Sequence, residues 1–508
     1  MIDRKFFTVA IEENEFWWGG AVSDGLEMPY GAHTRNFKRN LDPNETSNQC
    51  VPFLVSSKGR YIWCDRGFEL SIDGGLINVG YTKERPILSR GGDTLKEAYL
   101  AASTKLFPPS GILPPQEFFS LPIFNTWIEF EYFQEQSKIL EYARAIRESG
   151  LDCGIFMIDC GWHRYNGNWQ FKTECFPDPK AMIDALHSLG FKVMLWVCPF
   201  ITADSLEFRS LEERGLLVRN AHGEPAIRKW WDGYSAVLDL TNPLASEWLK
   251  DSLNNLVSSY GVDGFKFDAG DSLFYDDSDL VFDKQADANA QCEAWIKFGL
   301  SYQYNEFRSC FKNGGQPLIQ RLCDKRQEWG EYGVKALVPS SLAQGIMGYP
   351  FSCADMVGGG SYQNVNGSNQ ELYIRYMQNA AFMPAMQFSI APWRTVKKEN
   401  WYMVKKCLDT RKQLAEYILE MSRHAAKTNE PVVRYMEYEF PGQGLARVNT
   451  QFMLGDKFLI APANAPGQTS VDVILPKGRW LHEGKVYQGD LTVKVEAPLD
   501  NVPVFERM

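Results

Sequence analysis

The sequence of 508 residues has no apolar stretch of membrane-spanning length, and its first residues lack the apolar core of a signal peptide. Its 11 cysteines form no CxxC pairs and have no metal-site spacing to histidine, which argues against a zinc site and a disulfide framework. We therefore expect a reduced, cytoplasmic protein in which Cys153, Cys198 and Cys353 pack as small buried residues. The sequons at Asn44 and Asn366 then carry no weight, because glycosylation needs secretion.

A basic stripe is also missing. The formal charge is −10, so neither a nucleic acid nor another polyanion is expected as a partner. Aromatic residues are abundant instead, with 32 Phe, 22 Tyr and 15 Trp. Such side chains fill large cores, and they also form stacking surfaces for flat or ring-shaped ligands.

The texture of the sequence divides it into three regions. Residues 1–118 contain short alternating runs broken by Gly and Asn, which predicts an N-terminal β-sandwich. In residues 119–427 apolar strands alternate with amphipathic helices every 30–40 residues or so, which predicts an α/β fold, a (β/α)8 TIM barrel. Longer gaps predict an insertion near 200–240 and a helical stretch at 285–311. Residues 428–508 return to β texture and predict a C-terminal antiparallel β domain, a second sandwich.

Residues just past the carboxyl end of a barrel strand line the active site of such barrels. Carboxylates and tryptophans are frequent at or near the predicted strand ends. This combination suits a sugar, because the C–H faces of the ring stack on indoles and its hydroxyls bind carboxylates. Core packing remains the alternative for each single Trp. The predicted strand ends are Trp127, Asp159, Trp196, Asp268, Arg321, Asp355 and Gln387.

The run that ends in Asp268 is the most informative of these. Phe265 and Phe267 indicate a short buried strand, and Lys266 points to the same face as Asp268. A carboxylate beside a cation stays ionised at neutral pH, which suits a nucleophile. From this segment alone, a simple turn cap is an equally good interpretation of Asp268.

Cleavage of a glycosidic bond requires two carboxyl groups, an ionised nucleophile and a protonated acid, roughly 5 Å apart in a retaining enzyme. Asp268 fits the first role. For the second role, the segment 321–329 offers both Asp324 and Glu328, and composition does not choose between them.

A set of motifs in fixed order gives a family resemblance over about residues 120–508. On these motifs, the chain resembles glycoside hydrolase family 31, which contains α-glucosidases, α-xylosidases and α-galactosidases. The motifs are FPDP (176–179), LHSLGFKVMLWVCP (186–199), DLTNP (239–243), DGFKFD (263–268), GYPFSCADMVGG (348–359), QFMLG (451–455), LPKGRW (475–480) and APLD (497–500).

The resemblance implies double displacement with retention of configuration, without a metal or an organic cofactor. It assigns the nucleophile to Asp268 and the acid/base to Asp324. Lys266 and Arg321 would keep Asp268 charged, and burial near Trp329 would raise the pKa of the acid. Together with the strand-end argument, it predicts substrate contacts by Trp127, Asp159, Trp162, Trp196, Lys266, Asp271, Arg321, Trp329 and Asp355.

Two departures from the family pattern bear on the substrate. The usual Trp-x-Gly-Asp motif of the family is absent around Asp324. The segment IDCGW (158–162) is closer to the pattern of α-galactosidases. We therefore expect an exo-acting α-galactosidase that binds a small carbohydrate, with an oligomer possible. The alternatives are an α-glucosidase, an α-xylosidase or a catalytically silent sugar-binding relative.

Overall fold

Two antiparallel sheets form the N-terminal part of the protein. The computed structural model describes residues 4–42, 45–46, 48–152, 154–361 and 369–508; Asn44, Cys153 and Asn366 lie outside them. One sheet has the strand order β1-β8-β7-β4, and the other has the order β3-β2-β5-β6-β9. The elements are β1 (Lys5–Ala10), β2 (Phe16–Ala21), β3 (Tyr30–Gly31), β4 (Phe37–Asn40), β5 (Gln49–Ser56), β6 (Arg60–Trp63), β7 (Glu69–Asp73), β8 (Leu76–Tyr81), β9 (Ile87–Arg90), α1 (Leu95–Leu106) and α2 (Glu117–Ser120).

The central part is a closed barrel of eight parallel strands in the order β10-β11-β14-β18-β19-β21-β22-β23, which confirms the predicted TIM barrel. Its elements are β10 (Ile123–Asn125), α3 (Trp127–Phe130), α4 (Gln136–Glu148), β11 (Ile155–Ile158), β12 (His163–Tyr165), β13 (Asn168–Phe171), α5 (Pro179–Ser188), β14 (Lys192–Val197), β15 (Phe200–Thr202), α6 (Leu206–Glu213), β16 (Ile227–Trp230), β17 (Gly233–Val237), α7 (Pro243–Tyr260), β18 (Gly264–Phe267), α8 (Ala288–Gly299), β19 (Tyr304–Phe307), β20 (Cys310–Phe311), β21 (Ile319–Arg321), α9 (Leu337–Ile346), β22 (Ser352–Val357), α10 (Gln370–Ala380), β23 (Ala385–Phe388), α11 (Pro392–Thr395) and α12 (Trp401–Thr428).

The C-terminal part is antiparallel. A six-stranded sheet in the order β24-β25-β26-β31-β28-β29 accompanies the pair β27-β30. Its elements are β24 (Val433–Arg434), α13 (Met436–Glu439), β25 (Phe452–Leu454), β26 (Phe458–Ile460), β27 (Ser470–Leu475), β28 (Arg479–His482), β29 (Lys485–Gln488), β30 (Leu491–Glu496) and β31 (Val504–Arg507). The division of the chain at about residues 118 and 428 stays a prediction.

Local sequence signals set the ends of the barrel helices. Asn242 caps α7 through its side chain, Pro243 occupies the first turn, and Gly261 ends the helix with φ +83°. The strand β18 starts immediately afterwards at Gly264. A Cβ atom there would lie 2.0 Å from the carbonyl oxygen of Tyr304, so only glycine allows β18 and β19 to pair at this register.

The fifth barrel strand, β19, lies inside the segment 285–311 that was predicted to be helical. The helix α8 ends at Gly299, and β19 follows after a short turn. The prediction was wrong because Asn305 and Glu306 give this strand a polar sequence. Both side chains are nevertheless buried, and both have partners there. Asn305 donates to the carbonyl oxygens of Tyr302 and Pro317, and Glu306 pairs with Arg321.

One strand and one amide are among the contacts that join the N-terminal sheets to the carboxyl-terminal end of the barrel. The strand β20, which follows β19, pairs in parallel with β5. From β5, the buried amide of Gln49 donates to the backbone carbonyls of Arg308 and Arg321, at the carboxyl ends of β19 and β21. Its own carbonyl accepts from Gln344 at 2.7 Å. The N-terminal part therefore fixes the backbone at the functional end of the barrel.

Between β14 and β18, the strands β15, β17 and β16 form a small antiparallel sheet. The turn between β16 and β17 carries Trp231, whose side chain returns to the open end of the barrel. In the described part of the chain, no helix is both long enough and apolar enough to cross a membrane.

Arg411 on α12 closes the opposite end of the barrel. Its buried guanidinium donates to the carbonyl oxygens of Phe119, Ala381, Met383 and Pro384. Four backbone acceptors therefore depend on one buried side chain.

We expect Arg411→Met to reduce the free energy of unfolding by about 3–5 kcal/mol, because it leaves several buried acceptors unsatisfied. Urea denaturation monitored by tryptophan fluorescence would measure the change. The control is Arg423→Met on the same helix, where the exposed side chain pairs with Glu416 at the surface and should matter by less than about 1 kcal/mol. Equal effects of the two substitutions would contradict this account.

Candidate active site

A cavity of about 160 Å³ lies at the carboxyl ends of the barrel strands. This is below the roughly 300–1,000 Å³ of sites for drug-sized ligands, so it suits one small ring rather than a chain of rings. Carboxylates, cations and indoles line it together. The lining residues are Trp127, Asp159, Cys160, Trp196, Trp231, Lys266, Asp268, Arg308, Asp324, Met356 and Ser361.

Asp268 follows β18 directly and is held from three sides. The indole Nε1 of Trp196 donates to its Oδ2 at 2.8 Å, the backbone N–H of Ala269 donates to its Oδ1 at 2.9 Å, and the guanidinium of Arg308 lies 3.5 Å from Oδ1. Burial raises the pKa of Asp268, but Arg308, Lys266 and Arg321 together outweigh burial and hold that pKa well below its ordinary value. Asp268 is therefore an ionised carboxylate held in one orientation, as a nucleophile needs to be.

Lys266 and Asp159 form a buried ion pair across neighbouring strands of the barrel. Their Nζ and Oδ2 atoms are 2.6 Å apart, and the two side chains are only 4% and 3% exposed. Burial lowers the pKa of Lys266, but the carboxylate of Asp159 outweighs burial and leaves this pKa above its ordinary value. Lys266 is thus a fixed positive charge beneath Asp268.

Arg321, at the end of β21, binds three carboxylates at once. Its Nη1 lies 2.7 Å from Asp324 and 2.8 Å from Asp355, and its Nε lies 3.2 Å from Glu306. Asp355 also accepts from the backbone N–H of Lys325 at 2.7 Å, which fixes the loop that carries Asp324. Arg321 therefore sets the position of Asp324 at the edge of the cavity.

The pKa of Asp324 does not follow the prediction that burial near Trp329 would raise it. Burial does raise the pKa of Asp324, but Arg321 and Arg308 outweigh burial, so the pKa lies below its ordinary value. Trp329 is not among the residues that line the cavity. With a side chain 37% exposed, Asp324 also remains accessible to water and to a substrate.

The other predicted residues fall into two groups. Trp127, Asp159, Trp196 and Lys266 line the cavity with Asp268 and Asp324. The rest lie behind it: Trp162 donates to the carbonyl of Trp196 at 2.9 Å, Asp271 accepts from Arg308 at 2.5 Å, and Arg321 and Asp355 form the pair described above.

Glu328, the other candidate acid, lies on the loop after Asp324. It does not line the cavity, and its Oε1 accepts from the backbone N–H of Tyr332 at 3.3 Å. Of the two carboxyl groups left open by the sequence, only Asp324 faces the same space as Asp268.

Arg308 and Trp231 are the main residues that the sequence analysis missed. Arg308 follows β19, the strand that was predicted to be helical, so its place at a strand end was hidden. Its guanidinium lies 4.4 Å above the ring of Trp231. The available signal for Arg308 was its position directly after Phe307, the last residue of a short polar strand. Trp231 lies in a turn, where the sequence has no periodic pattern that would identify it.

The described residues contain no group of three or more His, Cys, Asp or Glu side chains arranged to hold a metal ion. The cations next to the cavity carboxylates are protein side chains, and each carboxylate discussed above has at least one such partner or a backbone N–H.

A (β/α)8 barrel with three carboxylates and three indoles around a one-ring cavity is typical of carbohydrate-active barrel proteins. The sequence matches the Glycosyl hydrolases family 31 TIM-barrel domain over residues 123–311 and 308–421, and the Glycosyl hydrolase family 31 C-terminal domain over residues 429–508. The chain belongs to glycosyl hydrolase family 31.

Several relatives extend this result. The Myogenesis-regulating glycosidase of Mus musculus is 34% identical over 404 residues, covering 77% of this chain and 56% of that protein. The alpha-xylosidase XylQ of Lactiplantibacillus pentosus is 26% identical over 533 residues, covering 97% of this chain and 65% of that protein. The chain thus spans less than two thirds of the length of these relatives.

The fold is also that of a solved family member. The structure of a Flavobacterium johnsoniae GH31 dextranase complexed with glucose superimposes with a TM-score of 0.87 at 20% identity, covering 99% of this chain and 66% of that one. At this identity the likeness concerns the fold.

Proposed function

We propose that this protein is a retaining, exo-acting α-glycosidase that removes a single terminal sugar. The observation that carries the proposal is the position of Asp268. It is ionised, it is aimed by Trp196, and it shares a one-ring cavity with Asp324 in a chain of glycosyl hydrolase family 31.

Each carboxyl group has a distinct step in this mechanism. The Oδ atom of Asp268 attacks the anomeric carbon and forms a β-glycosyl ester, while Asp324 gives its proton to the departing oxygen. The ionised Asp324 then takes a proton from water, and the hydroxide oxygen displaces Asp268 with net retention. The cations Lys266, Arg308 and Arg321 keep Asp268 from holding a proton at neutral pH.

Asp324 must bind a proton before the first step. In the free protein, the guanidinium of Arg321 favours its ionised form. A sugar that enters the cavity displaces water from the exposed part of Asp324, and this loss of solvation favours the protonated form. The cations therefore keep Asp268 ionised, whereas the bound substrate favours the protonated form of Asp324.

For the sugar itself, we propose an α-galactoside. Support comes from the segment 158–162, whose sequence is closer to the pattern of α-galactosidases, and whose Asp159 lines the cavity beside Lys266. An α-glucoside or an α-xyloside is the alternative, and the alpha-xylosidase relative favours the latter.

Asp268→Ala should lower kcat for 4-nitrophenyl α-glycosides by at least about 10⁴-fold, because it removes the carboxylate that forms the ester. Added azide should restore turnover and give a β-glycosyl azide, since azide attacks the face that Asp268 occupied. Product configuration is read by NMR. Asp276→Ala, in the exposed loop after β18, is the matched control and should retain activity. Substantial turnover by Asp268→Ala without azide would contradict the role of Asp268.

Asp324→Ala should slow substrates with poor leaving groups by about 10²–10⁴-fold, and slow activated nitrophenyl substrates much less, because only the former need a proton. Here azide should give an α-glycosyl azide, because it intercepts the ester on Asp268. Glu328→Ala is the comparison variant, and we expect a change of less than about threefold. Steady-state kinetics with methyl and 2,4-dinitrophenyl glycosides would measure both, and a reversed order of the variants would assign the acid to Glu328.

A panel of 4-nitrophenyl α-galactoside, α-glucoside and α-xyloside should show the highest kcat/KM for the galactoside. A contact made or lost at one hydroxyl in such a site changes this ratio by about 10-fold or more. A clear preference for the glucoside or the xyloside would defeat the galactose proposal and leave the mechanism in place. Calorimetric binding of sugars without any turnover would instead identify a catalytically silent sugar-binding protein.

A further inference from the structure

The indole of Trp196, which donates to Asp268, stacks on the imidazole of His163. The planes of the two rings differ by 10°, and their centroids are 5.6 Å apart, which is an offset stack. His163 lies on β12, in the connection that follows β11, and it is not among the residues that line the cavity. Because only 4% of its surface is exposed, its contact with the site passes through Trp196.

A chain of hydrogen bonds sets the tautomer and the plane of this imidazole. The amide nitrogen of Asn166 donates to Asp232 at 2.7 Å, which leaves Oδ1 of Asn166 to face Nε2 of His163 at 3.0 Å. Since that oxygen is an acceptor, Nε2 carries the proton, and Nδ1 has no partner among the described residues. Burial lowers the pKa of His163 to about 4, so the ring is neutral at neutral pH. The imidazole is therefore held in one orientation without a charge of its own.

Trp196 is thus held at two points. Trp162 donates to its backbone carbonyl, and His163 covers one face of its ring. The indole Nε1 then meets Oδ2 of Asp268 at 2.8 Å. Without the imidazole the indole gains room to turn, and a hydrogen bond weakens steeply as its angle at the hydrogen falls. The bond between Trp196 and Asp268 therefore depends on His163.

This bond matters most while Asp268 is a free carboxylate. A hydrogen bond to a charged acceptor is roughly twice as strong as one to a neutral acceptor, so the indole favours the carboxylate over its glycosyl ester. In the second step of the proposed mechanism, water attacks the anomeric carbon and Asp324 takes the proton of that water. The bond from the anomeric carbon to Asp268 breaks, and its electron pair stays on the carboxylate that the indole N–H stabilises.

We propose that His163 is a positioning residue that acts through Trp196 and speeds the release of the sugar from Asp268. The inference rests on the proposed function and deepens it. It assigns a role in the second step to a buried side chain that no substrate touches, and it leaves the first step little affected.

His163→Leu should lower kcat for the 2,4-dinitrophenyl α-glycoside of the preferred sugar by about 10-fold and lower KM by a similar factor, because the ester accumulates. With this leaving group the first step is fast, so kcat/KM, which reports that step, should stay within about threefold of the wild-type value. Stopped-flow kinetics should show a burst of dinitrophenolate. A fall in kcat/KM as large as the fall in kcat would indicate general loosening of the site and overturn the proposal, as would an unchanged kcat.

Trp196→Phe shows whether the effect passes through Trp196. This substitution removes the N–H, so the further change His163→Leu should alter kcat by less than about threefold in that background. An undiminished effect there would overturn the proposal. His424→Leu is the matched control, because His424 also bonds one side-chain acceptor, Glu430, at 3.0 Å but lies on α12 and does not line the cavity. It should leave kcat and KM unchanged.

Circular dichroism checks that His163→Leu is folded. If it is not, Asn166→Leu takes its place, because it removes the acceptor that orients the imidazole and keeps the stacked rings. The same parallel fall in kcat and KM is expected, and the same outcomes overturn the proposal.

Hydrogen exchange separates this inference from the proposed function, because it needs no substrate. The indole N–H of Trp196 is identified in NMR spectra by its loss in Trp196→Phe, and it should exchange with solvent about 10-fold faster in His163→Leu than in the wild-type protein. Faster exchange without hydrolysis of any glycoside would support the positioning of Trp196 by His163 and defeat the hydrolase. Unchanged exchange would overturn the role of His163, whatever the result for hydrolysis.

Discussion

The guanidinium of Arg321 is the constraint on which the functional end of the barrel depends. Buried charges are tolerated only when each has a partner, and Arg321 serves Glu306, Asp324 and Asp355 together. Each carboxylate comes from a different strand or loop, so a single side chain fixes their mutual positions. Because the guanidinium of Arg321 is itself buried, its charge also lowers the pKa of Asp268 without direct contact.

The local sequence predicts much of this arrangement. An apolar run that ends in a charged residue identifies a barrel strand end, and this rule located Asp159 and Asp268, which follow β11 and β18 directly. Asp355 was predicted as a strand end by the same rule, but it lies within β22. The fold class followed from the alternation of such runs with amphipathic helices. Lys266 pairs directly with Asp159, whereas the sequence had suggested Asp268 as its partner. This pairing depends on which strands are neighbours in the barrel, and the sequence pattern does not contain that information.

The failures have a common physical cause. Hydrophobic periodicity identifies a strand only when its buried face is apolar, and β19 buries Asn305 and Glu306 instead. Missing this strand removed Arg308 from the predicted site. The shift in the pKa of Asp324 was predicted in the wrong direction for a related reason. The guanidinium of Arg321, 2.7 Å from Asp324, lowers that pKa, and its closeness depends on the three-dimensional fold and not on the nearest tryptophan in the sequence.

Gln49 gives the architecture a consequence for evolution by domain exchange. The amide of Gln49 holds the backbone behind both Arg308 and Arg321, and its own strand, β5, pairs with β20. A replacement for this sheet would therefore have to supply both an amide donor and a strand that pairs with β20 at the carboxyl ends of β19 and β21. Domain exchange at this junction is thus restricted to grafts that preserve both contacts.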